Sequence, residues 1–268
     1  MRTWLVVVLG VIILAAQGLS QTTAPSCCSP SCYANLPKVS ELLPSDLQTK
    51  LAPYITSSEK WAKDTGLPLV RPLCADFPND EETASVSDEY MVGPALLVAT
   101  GSSSRDIYLP LARWYDYWTG RVIGGGRSVH FDEAEGPAPI YVRGSSIIPT
   151  AEAGTSNLVF RVYAGYAPAT CTLCPEGGKG CSLRAYRTPN GMEIAVNPGT
   201  ACPVKTAMFV INLPYRTVAG MAVDSQTLAK VSADELASAA QGWNQEGTIV
   251  QVKVPVTKRT LIRISYAI

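Results

Sequence analysis

The chain has 268 residues, of which 47% are apolar and only 16% charged, with 22 Lys and Arg set against 22 Asp and Glu. A formal charge of zero and a single His leave no electrostatic footprint for nucleic acid or an acidic membrane, and exclude a site built on several histidines. The apolar fraction is enough for a sizeable core, so coiled coil and disorder describe the chain poorly.

Residues 1–20 read as a signal peptide. Arg2 supplies the positive end, Leu5 to Ala16 is apolar apart from Gly10, and the small residues up to Ser20 offer a cleavage site. The run is too short to span a bilayer, and no later stretch is long and apolar enough to do so. The expectation is a secreted protein, extracellular or in the lumen of the secretory pathway, without membrane association after signal cleavage. The cysteines agree with that route: Cys27, Cys28, Cys32, Cys74, Cys171, Cys174, Cys181 and Cys202 are all disulfide candidates in an oxidising compartment, with a connectivity the sequence does not choose. Cys171, Cys174, Cys181 and Cys202 also have the spacing of a four-thiolate zinc site, but the compartment favours disulfides, and no metal or other cofactor is expected.

Residues 21–35 are rich in Cys, Ser and Pro and read as a linker. A helix follows, with Ser45 as cap, Gln48 as its capping-box partner, and Leu47, Leu51, Ile55, Ser58 and Ala62 on one face. Pro53 should kink it and Gly66 should end it. Leu67 to Leu73 is then an apolar run without alternation, the pattern of a strand buried on both faces. From Tyr90 onward short β-runs alternate with Gly, Pro, Ser and Asn. The pattern predicts strands at Ala95–Ala99, Arg105–Leu109, Trp114–Asp116, Ser128–Phe131, Ile140–Val142, Leu158–Tyr163, Ser182–Arg187, Glu193–Val196, Ala207–Asn212, Val218–Val223, Thr248–Val254 and Leu261–Ser265. Ser232–Ala240 is the one later helix candidate, with Ser232 capping and Glu235 completing the box. The fold expected is mainly β, with β-sandwich modules preceded by one helix–strand unit and a module boundary near Thr150.

The order of motifs resembles a known family. Leu51-Ala-Pro-Tyr54, Thr65-Gly-Leu-Pro-Leu-Val-Arg-Pro-Leu73 and Phe77-Pro-Asn-Asp80 are similar to the last helix and strand of the catalytic (β/α)8 barrel in glycoside hydrolase family 31, the α-glucosidase family. Tyr90 to Ala99, Tyr108-Leu-Pro110, Trp114-Tyr-Asp-Tyr-Trp-Thr-Gly120 and Val142-Arg-Gly-Ser-Ser-Ile-Ile-Pro149 resemble the family's passage into its proximal C-terminal β-sandwich. The resemblance implies that 36–89 is a remnant of the barrel's end, 90–150 a proximal sandwich, and 151–268 a distal β-rich domain with a Cys loop. Past Thr150 the family pattern fades, and Cys171–Cys181 replaces its usual turn. The implied activity is hydrolysis of α-glycosidic bonds through a pair of carboxyl groups. The family's nucleophile lies in a Trp-x-Asp-Met-Asn-like motif that does not occur here, so no catalytic residue carries over and the chain is expected to be inactive alone.

Among acidic residues, Asp76, Asp80, Asp88, Glu89, Asp106, Asp116, Asp132, Glu133 and Glu135 stand in no motif that sets two across a groove. His130 has no nucleophile motif beside it. Arg71, between apolar neighbours, must be paired or pointed at water, and is read chiefly as an ion pair with a carboxylate such as Asp76 or Glu59 and secondarily as a direct sugar contact. Trp114, Tyr115, Tyr117 and Trp118 are read chiefly as core filling and secondarily as a carbohydrate-binding surface; in an extended chain Trp114, Asp116 and Trp118 share one face and the two tyrosines the other. Three functions remain open: the C-terminal portion of a family 31 protein, a secreted carbohydrate-binding or matrix protein, and a subunit completing a barrel from a longer glycosidase-like chain. The helix–strand piece, lacking its barrel neighbours, is expected to dock weakly on the β-modules.

Overall fold

The computed structural model describes Tyr33 and residues 35–101, 103–152, 158–173, 180–256 and 258–267. The expected leader, most of the linker, and Cys27, Cys28, Cys32 and Cys174 lie outside the described residues.

The chain opens with helices α1 (Val39–Leu42) and α2 (Ser45–Thr65), then β1 (Val70–Pro72) and the short α3 (Leu73–Asp76). Next come β2 (Glu89–Val92), β3 (Leu96–Ala99), β4 (Arg105–Leu109), β5 (Arg113–Asp116), β6 (Val122–Gly124), β7 (Arg127–Phe131) and β8 (Ile140–Arg143). The second half holds β9 (Ser146–Ala151), β10 (Leu158–Tyr163), β11 (Ala169–Thr172), β12 (Ser182–Thr188), β13 (Gly191–Asn197), β14 (Thr206–Asn212), β15 (Val218–Val223) and β16 (Gln226–Thr227). Helix α4 (Ala233–Ser238) precedes β17 (Gly242–Glu246), β18 (Ile249–Pro255) and β19 (Thr260–Tyr266).

A six-stranded sheet runs β1-β2-β3-β8-β5-β6. Successive side chains leave a strand on opposite faces, and here both faces are covered. Leu96, Val98, Tyr115, Ile140 and Val142 meet α1 and α2 on one side. Leu97, Ala99, Trp114 and Tyr141 meet Ile107, Leu109 and Phe131 of the β4–β7 pair on the other. That double burial is why the sequence around Ala95–Ala99 shows no polar alternation.

The second sheet has eleven strands, β16-β15-β19-β13-β12-β11-β9-β10-β14-β18-β17. It divides into two leaves, because β11 and β9 share only the pairing Thr170 to Ser146. Ile194, Ile262 and Ile264 of one leaf and Phe160, Phe209, Val250 and Val252 of the other enter a single core, so the sheet turns back on itself as a sandwich. Cys181 and Cys202, 21 positions apart, are disulfide-bonded within this module. Those two sulfurs are therefore not thiolates for a zinc ion, and Cys171 is buried beside the same core.

Several expectations change. Ser45 starts α2 rather than capping it; Pro44 is the N-cap and the Gln48 amide donates to the Leu43 carbonyl at 2.7 Å. The helix continues through Pro53 to Gly66, whose φ of 73° closes it in the left-handed region. Tyr54, not Ile55, joins Leu47, Leu51 and Ser58 as buried on its inner face. The strand expected over Leu67–Leu73 shortens to Val70–Pro72, because Pro68 and Pro72 remove ladder donors at both ends. It pairs antiparallel with β2 as an edge strand, so it is neither parallel nor isolated.

Nor does the helix–strand piece dock weakly. Leu42, Leu43, Leu47, Leu51, Tyr54 and Val70 are buried in the same cluster as Val92, Val142 and Ile148. The Tyr54 hydroxyl donates to the Val92 carbonyl at 2.7 Å and accepts from the Ala95 amide at 3.0 Å. Burial pushes the Tyr54 phenol well up, so it stays a neutral donor. The passage between sheets falls at Gly144-Ser145 rather than near Thr150, since β9 already belongs to the second sheet. Asn212 ties the two together by donating to the Gly120 carbonyl at 2.8 Å.

Candidate functional site

A cleft of about 690 Å³ opens where α2, the Arg113 and Arg143 ends of β5 and β8, and the start of the second sheet converge. Its floor depends on two close backbone approaches. Ser145 has a φ of 65°, uncommon for a residue with a side chain, and its amide donates to the Tyr163 carbonyl at 2.8 Å. Its hydroxyl accepts from the Ala167 amide at 3.0 Å. The place a Cβ would take on Gly165 is already filled by Ser145, so only glycine lets these turns meet. This contact presents the next residue, Tyr166, to solvent with 84% of its surface exposed.

Arg113 stacks its guanidinium 4.5 Å from the Tyr166 ring centroid and donates from Nη2 to the phenol oxygen at 3.0 Å. Half-buried Trp61 of α2 also lines the cleft, with the Arg71 guanidinium 4.8 Å from its ring centroid. Lys60 and Asp64, one helical turn apart, form an ion pair at 3.0 Å along the same edge. Ser57, Ser146 and Thr170 add hydroxyls to the lining. Trp61 and Tyr166 carry no motif in the sequence; only the meeting of α2 with the loop after β10 brings both to the lining of one cleft.

Arg71 is the hub beneath this cleft. It is fully buried, and Nε and Nη2 make a bidentate pair with the Asp76 carboxylate at 2.9 and 2.6 Å. Nη1 donates to the Pro68 carbonyl at 2.9 Å and Nη2 to the Gly93 carbonyl at 3.0 Å. Asp76 is thus the partner and Glu59 is exposed.

The other acidic residues are spread out. Asp80 accepts from the Tyr108 hydroxyl at 2.8 Å, and burial with that bond pushes the phenol up to about 12. Asp88 pairs with Arg105, and Asp106 with His130 at 3.0 Å on the surface. Glu89 is buried at 4% exposure, one oxygen accepting from the Tyr108 amide at 2.8 Å and the other without a partner. Desolvation above all, and then the Asp88 charge, raise its carboxyl to about 7. Asp116 holds a turn, accepting from the Trp118 and Thr119 amides at 2.9 and 2.8 Å. Asp132 caps the short turn containing Glu133 and Glu135.

The aromatic motif is core. Trp114 and Tyr115 have no exposed surface, and they donate to the Pro110 and Ala164 carbonyls at 2.8 and 2.5 Å. No sugar can stack on a ring with both faces packed, which corrects the secondary reading of these two residues. Tyr117 and Trp118 are half-buried and meet edge to face, with the Trp118 indole donating to the Ala138 carbonyl at 2.7 Å. Strand β5 ends at Asp116, so the turn carries Trp118 to the tyrosine side instead of the Trp114 side.

The fold is thus an antiparallel sheet buried on both faces, carrying helices on one side and followed by a second β-sandwich. Residues 66–148 match the glycosyl hydrolase family 31 C-terminal domain, and this chain is accordingly similar to the α-glucosidase-like enzymes of that family over their C-terminal part only. Relatives include an isomaltosyltransferase of Sporosarcina globispora, 33% identical over 44% of this chain and 12% of the relative, and an α-glucosidase of Saccharolobus solfataricus, 40% identical over 42% of this chain and 16% of the relative. The chain therefore corresponds to less than a fifth of either relative. The fold matches a Flavobacterium johnsoniae family 31 dextranase solved with glucose at a TM-score of 0.71 and 22% identity, covering 82% of this chain and 32% of that one.

Proposed function

We propose that this chain is the non-catalytic C-terminal portion of a secreted family 31-like protein and does not by itself hydrolyse α-glycosidic bonds. One observation carries the reading: among the described residues, the carboxylates Asp64 and Asp76 near the cleft are each paired with a cation. Asp64 is paired with Lys60, and Asp76 is locked on a buried arginine. Retaining glycosidases hold two carboxyl groups about 5–5.5 Å apart across the scissile bond, one attacking and one transferring the proton. A carboxylate saturated by a guanidinium is a poor nucleophile and cannot serve as the acid. The proposed contribution is structural: α2 and both faces of the six-stranded sheet form a rigid block on which barrel elements are anchored. Secretion rests on the leader-like residues 1–20.

The test is an assay of the purified chain on an aryl α-glucoside and on maltose at high protein load. No turnover above buffer is expected. Turnover that survives repurification and disappears in Asp64→Asn or Asp80→Asn would overturn the reading. Expression with the native N-terminus, followed by N-terminal sequencing of the medium, tests secretion; retention of the intact leader inside the cell would refute it.

A further inference from the structure

Among the described residues, two arginines at the cleft have no carboxylate partner. Strands β5 and β8 end side by side, and the Gly144 amide donates to the Arg113 carbonyl at 2.6 Å. A Cβ on Gly144 would lie 3.1 Å from that carbonyl and 3.2 Å from the Arg113 Cβ, so the missing side chain lets Arg113 and Arg143 line one opening. Each guanidinium is held by an aromatic ring: Arg113 lies 4.5 Å from the Tyr166 centroid and Arg143 4.9 Å from that of Phe77. A ring face attracts the cation but does not take its N–H donors as an oxygen would. Arg113 gives one donor to the Tyr166 hydroxyl, and the rest of both forks stays open for a carboxylate or phosphate. The other charges of the lining, Lys60 and Asp64, neutralise each other at 3.0 Å, and Arg71 beneath is matched by Asp76. The cleft therefore carries an excess of two positive charges in a chain of zero formal charge. Trp61, Pro94, Ile147 and Pro168 add an apolar wall beside Tyr166, and about 690 Å³ holds more than a bare ion. We infer that this cleft binds a small organic anion, an apolar body bearing one carboxylate or phosphate head that Arg113 and Arg143 hold. A neutral ligand would leave both guanidinium groups unmatched.

The experiment is calorimetric titration of the full chain with phenyl phosphate, phenylacetate and inorganic phosphate, with maltotriose as the uncharged probe, repeated on Arg143→Gln and Arg113→Gln. Saturable binding of phenyl phosphate or phenylacetate is expected, about tenfold or more weaker in each variant and weaker as salt rises. Whichever organic anion binds more tightly identifies the head. Inorganic phosphate should bind less tightly than phenyl phosphate, because it leaves the apolar wall unused. Arg143→Gln deletes the charge and keeps part of the stem over Phe77, so it decides the matter even if Arg113→Gln disturbs Tyr166. Protection of Arg143 from phenylglyoxal by phenyl phosphate, read by peptide mass spectrometry, tests the same contact without any variant. Arg259→Gln, at an exposed arginine outside the cleft, should bind as the unaltered chain does. No saturation at millimolar anion, equal affinity in Arg143→Gln, inorganic phosphate as tight as phenyl phosphate, or maltotriose tighter than both organic anions would each overturn the inference. Hydrolysis of an α-glucoside would refute the non-catalytic reading and leave this site standing, whereas absent anion binding would refute the site alone.

Discussion

Removing Asp76 isolates what the buried arginine needs. Arg71 has five N–H donors, and the bonds to Asp76, Pro68 and Gly93 account for its three nitrogens inside a site with 1% exposure. In Asp76→Ala the guanidinium remains charged, because its proton affinity is too high to release, and it keeps only carbonyl partners. Breaking a buried ion pair by deleting one member costs about 3–5 kcal/mol. Asp76 retains some exposure, with 15% of its side chain accessible, so water recovers part of that and about 3 kcal/mol is expected. For a chain of this size that corresponds to a melting point lower by about 6–12 °C. Arg71→Met, which fills the volume without the charge, should cost less than Arg71→Ala, while Arg71→Lys loses the bidentate fork and should not rescue. Thermal unfolding followed by circular dichroism, with the Asp76→Ala and Arg71→Met double variant, completes a cycle. A loss under about 1 kcal/mol in Asp76→Ala, or strict additivity of the two changes, would refute the argument.

Glu89 should make stability fall as pH rises. Its folded carboxyl titrates near 7 against an ordinary value of 4.5, so between those values the folded state binds more protons and each step upward in pH costs stability. The loss, on the order of 3 kcal/mol, should be complete above about pH 8, and Glu89→Gln should flatten the profile in chemical denaturation; an unchanged slope would count against it. Leu51→Ala, at a site with no exposure between α2 and the six-stranded sheet, should cost about 2–5 kcal/mol, and deleting residues 35–66 should unfold the first sheet; a soluble, cooperatively folded truncation would contradict this. Gly93→Ala should destabilise by more than about 1 kcal/mol, because φ is 62° and a Cβ would lie 2.5 Å from the Ser58 hydroxyl and 2.7 Å from that of Tyr54. Reduction of Cys181–Cys202, which closes a loop of 21 positions, should cost about 3 kcal/mol in urea titration; an unchanged midpoint after reduction would count against it.

Much of the β-structure was legible because its cause is local. Arg105–Leu109, Leu158–Tyr163 and Val218–Val223 have the bounds their alternation predicts, and the other predicted strands differ only at their ends. The Ser232 and Glu235 capping box and the Gly66 stop were readable for the same reason: donor, acceptor and backbone angle sit within a few residues. The strands that were not foreseen lack such marks. Strand β9 contains Pro149, which is tolerated because the neighbouring strand β11 pairs with β9 only at Ser146. Strand β17, Gly-Trp-Asn-Gln-Glu, carries one large apolar residue and is held mainly by its pairing with β18.

The candidate site divides the same way. That Arg71 would need a nearby carboxylate followed from its apolar neighbours, and Asp76 lies only five positions on. That Trp114 and Tyr115 would be buried while Tyr166 would stand exposed did not follow, because all three are aromatic residues beside polar ones. Their fates depend on which surfaces arrive against them: the β4–β7 pair over Trp114, α2 and Tyr163 over Tyr115, and the Arg113 guanidinium alone stacked on the largely exposed Tyr166 ring among the described residues. Sequence by itself therefore determined the period, the caps and the charge pairing, each decided by groups a few bonds or one turn apart. Only the tertiary structure decided which faces close and which stay open, because burial is set by surfaces from distant parts of the chain and no residue carries that information alone.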